Sequence, residues 1–280
     1  QSSESLAGRI EYRQLSGFTA IEIGVAQLEK RWLRGGFPRA FLARTQAESR
    51  IWRQQFIQTV LERDMLRQRV ELPASALYRF WRMIAHVHGG IWNGVDPARS
   101  LGISQPTVRR YLDLLTGLFM VRQLPPWHAN LAKRQVRSPK IYIRDSGLLH
   151  ELLGIGSYDE LLAHPHGGAS WEGMVIEEVI AAERPDAVFL AATHQGAELD
   201  LLLLKDGRRL GVEVKRADAP SLTPSMKIAC TDLQLEQLVV LYPGNRTYPL
   251  SEKVTVRPLA TLVDGGWQAL FPRPGRRKRA

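Results

Sequence analysis

The sequence predicts a mixed α/β (α+β) chain made of successive helical and strand-rich parts, and three observations carry that prediction. Apolar residues recur at helical spacing between residues 20 and 69 and again from Pro73 to Leu118. Gly102 separates two short helical segments, and from Phe189 onward the pattern shifts to strands with an Asp206-Gly207 hairpin signal. At 280 residues the chain has room for two folded units, since single cores stop growing near about 250–300 residues.

The chain opens on Gln1 in mid-pattern, and Ser5-Leu6-Ala7-Gly8-Arg9-Ile10-Glu11-Tyr12 reads as a turn feeding a short strand, so a preceding part is expected. Residues 20–69 read as a helical connector with Phe56, Ile57, Val60 and Leu61 on one side, interrupted at Gly35-Gly36-Phe37-Pro38. The first unit is therefore drawn over residues 1–72.

Residues 73–153 form the second. After Pro73, Leu77, Phe80, Trp81 and Ile84 share a helix face that ends at Gly89-Gly90. A short helix spans Asp96 to Leu101, with Asp96 expected as N-cap and Pro97 at the first helical position. Gly102 turns the chain, and Ser104 caps a helix from Gln105 to about Leu118 with Val108, Leu112 and Leu115 on one face. This helix-turn-helix puts Thr107, Arg109 and Arg110 near the start of a candidate recognition helix, where bases and phosphates would be touched; it also suits a plain packing unit. Phe119–Leu124 and Lys140–Ile143 read as two strands flanking a basic segment with Lys133, Arg134, Arg137 and Lys140, the plan of a winged helix. Such a wing tracks phosphates without reading sequence, and as a solvated loop it would do neither. Asp145-Ser146-Gly147-Leu148 starts another helix, and residues 154–168, with Pro165 and two adjacent glycines, mark the next boundary.

Residues 154–267 make the third unit. Trp171, Val175 and Val179 lie one turn apart on a helix that also carries Glu172, Glu177, Glu178 and Glu183. Phe189–Ala191 is a short strand, and Glu198–Leu204 a longer one in which Asp200 interrupts an apolar run. The Lys205-Asp206-Gly207-Arg208 turn leads into Leu210–Lys215, where Val212 and Val214 point one way and Glu213 and Lys215 the other. Pairing through the hairpin brings Asp200 to that edge. Two carboxylates and an ammonium gathered in an apolar setting are costly without a purpose, and Mg²⁺ (or Mn²⁺) held by Asp200 and Glu213 would supply one, with Lys215 steadying charge on a reacting phosphate. A structural acid–lysine pair on a half-exposed strand is the plainer alternative.

Charge and composition narrow the setting. The net charge is +10, but Arg273, Arg276, Arg277, Lys278 and Arg279 lie in the basic tail drawn over residues 268–280, so +10 minus these five leaves +5 for the body. That excess favours a nucleic-acid partner, and the helix-turn-helix makes it double-stranded DNA. No apolar run approaches the roughly 20 residues that span a bilayer, and a single cysteine, Cys230, with no secretory leader points to a reducing cytoplasm.

At Glu172, Asp200, Glu213 and Lys215 the sequence resembles the PD-(D/E)xK nuclease superfamily: a helix with a glutamate, a strand with an aspartate, then a strand with Glu-x-Lys. Leu199 stands where that family often has a proline, and Glu177 or Glu178 takes the place of Glu172 if the helix is rotated. The resemblance implies a metal-dependent DNA endonuclease or exonuclease, or a non-catalytic module that keeps the fold as a scaffold. A wider resemblance rests on Ser5–Arg9, Arg34–Pro38, Ile103–Leu112, Pro139–Tyr142 with Asp145–Leu148, and Glu213–Lys215, which occur in this order in a large family of prokaryotic AAA+ ATPases. It implies that the chain carries the parts after the nucleotide-binding core: a remnant of core and lid, a winged helix, and a C-terminal domain of unknown function. It also implies that Arg9 reaches a neighbouring subunit's nucleotide, that Arg34 is a lid contact, and that a homo-oligomer or an ATPase core is the protein partner. No Gly-x-x-x-x-Gly-Lys-Ser/Thr loop is present, so ATP is expected to act only through a core outside this chain.

Overall fold

The computed structural model describes residues 15–64, 73–127, 138–192 and 197–272. Within them the chain is a mixed α/β fold of twelve α-helices and two sheets. The Ser5–Tyr12 segment with Arg9, the wing residues Lys133, Arg134 and Arg137, and residues 273–280 of the basic tail lie outside the described residues. No described helix is long and apolar enough to cross a membrane.

The connector is broken more often than its sequence suggests. Helices α1 (Ala20–Ile23), α2 (Leu28–Arg34), α3 (Pro38–Phe41) and α4 (Gln46–Thr59) are short because local signals stop or start each one. Gly24 and Gly35 close α1 and α2 at positive φ, and Pro38 opens α3 where a missing N–H costs nothing. Thr45 caps α4 by accepting from the Glu48 N–H.

The second unit runs α5 (Ala74–His86), β1 (Gly90–Ile91), α6 (Val95–Leu101), α7 (Gln105–Gly117), β2 (Val121–Leu124) and β3 (Lys140–Ile143). Its core joins Leu77, Phe80, Trp81 and Ile84 to Val108, Leu112 and Leu115. Strand β3 is central and pairs antiparallel with both β1 and β2. Two details differ from the sequence expectation. Strand β1, two residues long, is too brief to leave a period. Helix α6 begins one residue early: Gly94, not Asp96, is the N-cap, and Asn93 Oδ1 accepts from the Val95 N–H at 3.0 Å. Pro97 is then third in the helix, where its absent N–H still breaks no intrahelical bond.

Helix α8 (Ser146–Leu153) locks this unit to the connector. The Asp145 carboxylate caps it by accepting from the Leu148 N–H at 2.9 Å and also accepts from the Gly36 N–H at 2.7 Å. A Cβ on Gly35 would strike that carboxylate, and one on Gly147 would strike the Arg34 carbonyl, so both positions require glycine for close approach. The Arg34–Pro38 and Asp145–Leu148 motifs are thus two halves of one joint.

The chain continues through α9 (Tyr158–Ala163), α10 (Gly167–Glu183), β4 (Ala187–Ala192), β5 (Glu198–Lys205), β6 (Arg208–Val214), α11 (Pro224–Asp232), β7 (Gln237–Tyr242), β8 (Tyr248–Pro249), β9 (Val254–Pro258) and α12 (Ala260–Leu270). The six strands lie in the order β4-β5-β6-β7-β9-β8: β4 to β6 form an antiparallel meander, and β6, β7 and β9 are parallel. The β5–β6 hairpin turns at Asp206 and Gly207 with φ of 51° and 73°, the conformation the dipeptide demands. Helices α10 and α12 cover Leu201, Leu203, Val212 and Val239, while α11 covers Leu202, Leu238 and Val240. Coverage on both faces explains the unbroken Leu201–Leu204 run. Cys230, on the buried side of α11, is apolar filling between that helix and the sheet.

Helix α10 is buried nearly all round. Trp171, Val175 and Val179 pack in one cluster with the sheet, as their spacing predicts, and Trp32, Leu124 and Tyr142 of the preceding units join the same cluster. Ile155 and Leu161, from the stretch drawn as a boundary, are buried in it too. The two halves share a continuous core.

Candidate functional site

Asp200 owes its placement to a β-bulge. Phe189 pairs with Leu202 and Ala191 with Leu199, so two steps along β4 match three along β5. The extra residue reverses the alternation: Leu201 faces α10 while Leu199 joins the layer under α11. Regular pairing with β6 ends at Leu201↔Val212, and the Asp200 Oδ2 accepts the next free donor, the Val214 N–H, at 2.8 Å. Bulges commonly re-aim a side chain in this way. Glu213, at the end of β6, is buried with its Oε1 2.7 Å from Lys215 Nζ, and the Lys215 side chain is 41% exposed.

Glu172 is the glutamate of α10 that reaches this edge. Its Oε1 accepts from Lys140 Nζ at 2.6 Å and from the Tyr142 hydroxyl at 2.5 Å. Lys140 Nζ also lies 3.8 Å from Asp200 Oδ1. The sequence places Lys140 in a phosphate-tracking wing; the structure instead puts its ammonium, only 12% exposed, among the carboxylates. The reason is register. Lys140 and Tyr142 share one face of β3, and that face packs on α10, whereas Ile141 and Ile143 fill the core of the second unit.

The cluster is short of positive charge. Burial first, then the neighbouring Glu172 and Glu213, push the Asp200 carboxyl up to about 8 despite Lys140. Burial works against the Lys140 ammonium, but Glu172 and Asp200 outweigh it and hold its pKa above the ordinary value. The Lys215 ammonium is likewise raised, burial opposing and Glu213 prevailing. Burial and Glu172 hold the Tyr142 phenol far above its usual range, fixing it as a donor. Each carboxylate thus already faces a cation. Among the described residues no three His, Cys, Asp or Glu side chains are grouped to hold a metal ion, and in this arrangement Asp200 and Glu213 do not fit one.

Glu177 and Glu178, also on α10, are structural ties. Glu177 receives the guanidinia of Arg122 and Arg144, and Glu178 pairs with Arg31 at 3.0 Å and accepts from the Ala20 N–H at 2.6 Å. Neither replaces Glu172. Two buried histidines extend the seam. His88 Nδ1 accepts from the Ile143 N–H, so its Nε2 carries the proton that meets the Ala169 carbonyl. His150 bonds the Ser170 hydroxyl, which also accepts from the Trp32 indole. Burial lowers both imidazoles to about 3.

The described DNA-contact candidates lie apart from this edge. Arg109 and Arg110 are exposed on α7, with Arg109 paired to Asp113 at 3.1 Å, and Thr107 completes the Ser104 cap. Arg34 bonds the Ala43 carbonyl and Gln46 within the connector.

Known proteins give two kinds of match. An uncharacterized protein of Mycobacterium tuberculosis and one of Mycobacterium bovis are each 48% identical over 265 residues, covering 95% of this chain. The chain spans 60% of the length of these relatives. No solved structure matches. Residues 25–159 match a family described as Domain of unknown function (DUF8612), and residues 167–262, which hold the whole carboxylate cluster except Lys140 and Tyr142, match Domain of unknown function (DUF4143).

Proposed function

We propose that this chain is the DNA-binding C-terminal region of an AAA+ type ATPase, with a nuclease-like domain whose carboxylate edge acts on phosphodiesters. The observation that carries the proposal is convergence. Glu172 on α10, Asp200 on β5, and Glu213 with Lys215 at the end of β6 meet at one edge, in the chain order of the PD-(D/E)xK superfamily. The helix-turn-helix followed by β2 and β3 supports a winged helix beside it, and the DUF4143 domain is found in AAA-ATPase-associated proteins.

At such an edge Lys215, half exposed, presents an ammonium to a phosphate oxygen and offsets the charge that grows in the transition state. Mg²⁺ or Mn²⁺ belongs to this proposal, yet the closed arrangement does not fit it. That closure favours a second function: a DNA- or protein-binding scaffold whose partner is another copy of the chain or an ATPase core.

The test is incubation with plasmid and linear duplex DNA in Mg²⁺ and in Mn²⁺, using wild type and Lys140→Met. Cleavage that vanishes on adding Asp200→Ala or Lys215→Ala supports hydrolysis; inertness of every chain leaves the scaffold. DNA binding is tested separately. Arg109→Ala with Arg110→Ala should flatten the dependence of log K on log salt by about 2, roughly 0.9 per phosphate contact. An unchanged slope removes α7 from the interface.

A further inference from the structure

We infer that Lys140 is a tethered cation of the carboxylate cluster, bridging Glu172 and Asp200 and keeping a divalent metal from entering between them. The inference rests on the nuclease-like identity of the site and adds how that site is controlled. Lys140 Nζ is 2.6 Å from Glu172 and 3.8 Å from Asp200, and so bridges the two carboxylates that come from different elements. Lysine ammoniums are almost never this buried unless paired, and this one arrives from a different sheet, across the seam. Tyr142, two residues on, donates to the same Glu172 oxygen and fixes that carboxylate toward β3.

Lys215 does not do the same job. It pairs with Glu213, two residues back at the end of β6, and is more than three times as exposed as Lys140, so it can swing away. Lys140 is held by β3, the central strand of its sheet, between β1 and β2. A metal entering between Glu172 and Asp200 must displace an ammonium that is always present at short range, and a divalent ion beside it would be repelled by the like charge.

The experiment is Mn²⁺ binding, read by electron paramagnetic resonance and by titration calorimetry, with circular dichroism to verify folding. Wild type and Lys140→Arg, which keeps the charge, should bind at least about tenfold more weakly than Lys140→Met, a step that corresponds to removing one nearby like charge. Adding Asp200→Asn to Lys140→Met should return binding to the wild-type level. If Lys140→Met fails to fold, Lys140→Gln takes its place. The inference is overturned if wild type binds Mn²⁺ as tightly as the neutral variants, or if no variant binds it. Mn²⁺ uptake by Lys140→Met without DNA cleavage would leave this inference standing and remove hydrolysis, so the two fail separately.

Discussion

Two acidic clusters lie about one and a half turns apart on α10, and they solve the same problem differently. At Glu177 one carboxylate meets two guanidinia, Arg122 and Arg144, and although burial alone would raise its pKa they hold it below the ordinary value. At Glu172 three carboxylates share two ammoniums, and Asp200 is driven up to about 8. The first cluster is satisfied and closed, as a tie between units must be. The second comes into balance only because Asp200 keeps a proton, and that raised carboxyl at a sheet edge, more than the residue types, sets it apart from a structural tie.

The largest expected effect breaks the satisfied cluster. Glu177→Ala leaves two guanidinia without their acid and should cost on the order of 3–5 kcal/mol of unfolding free energy in urea titrations at pH 7; a loss below about 1 kcal/mol would erase the contrast. Next comes the opposite sign at Asp200. Its folded pKa is raised, so the native state keeps a proton that the unfolded chain releases from pH 3.8 upward, and stability drains away until about pH 8. Asp200→Asn should therefore match wild type near pH 4 and exceed it by on the order of 2 kcal/mol at pH 8. Equal stabilities across that range would mean Asp200 is not frustrated. The smallest effect is Lys215→Ala, which removes a partly exposed pair and should cost about 0.5 kcal/mol or less in thermal melts. A large loss there would make the Glu213–Lys215 pair a structural tie as well.

Much of this was legible in the sequence. Helical spacing located α5, α7 and α10, and the Asp-Gly turn fixed the β5–β6 hairpin, because one buried face imposes a period. Asp200, Glu213 and Lys215 were legible for the same reason: charges inside apolar strands stand out. Lys140 obeys that rule too, lying beside Ile141 and Ile143, yet the neighbouring basic residues of the wing segment hid it. Choosing Glu172 over Glu177 needed the rotation of α10, which depends on arginines from β2 and from just after β3 that no local pattern announces. The bulge at Asp200 was equally silent, since a single inserted residue leaves the composition of β5 unchanged. Beyond Lys215, β7 and β9 are held by parallel pairing between distant segments and lack the turn signals of a hairpin, and β8 adds only two residues, antiparallel to β9.

The bond from the Trp32 indole to Ser170 joins residues 138 positions apart. On a ribosome adding about 5–20 residues per second, α2 emerges roughly 7–28 seconds before the helix that covers it. Through that interval the Trp32 ring lacks the Trp171 ring that it meets edge-on at 5.4 Å, and the joint at Gly35 waits nearly as long for Asp145. Completion of the connector is thus timed by synthesis of α10, and an N-terminal fragment ending before it would present this tryptophan to any hydrophobic surface it met.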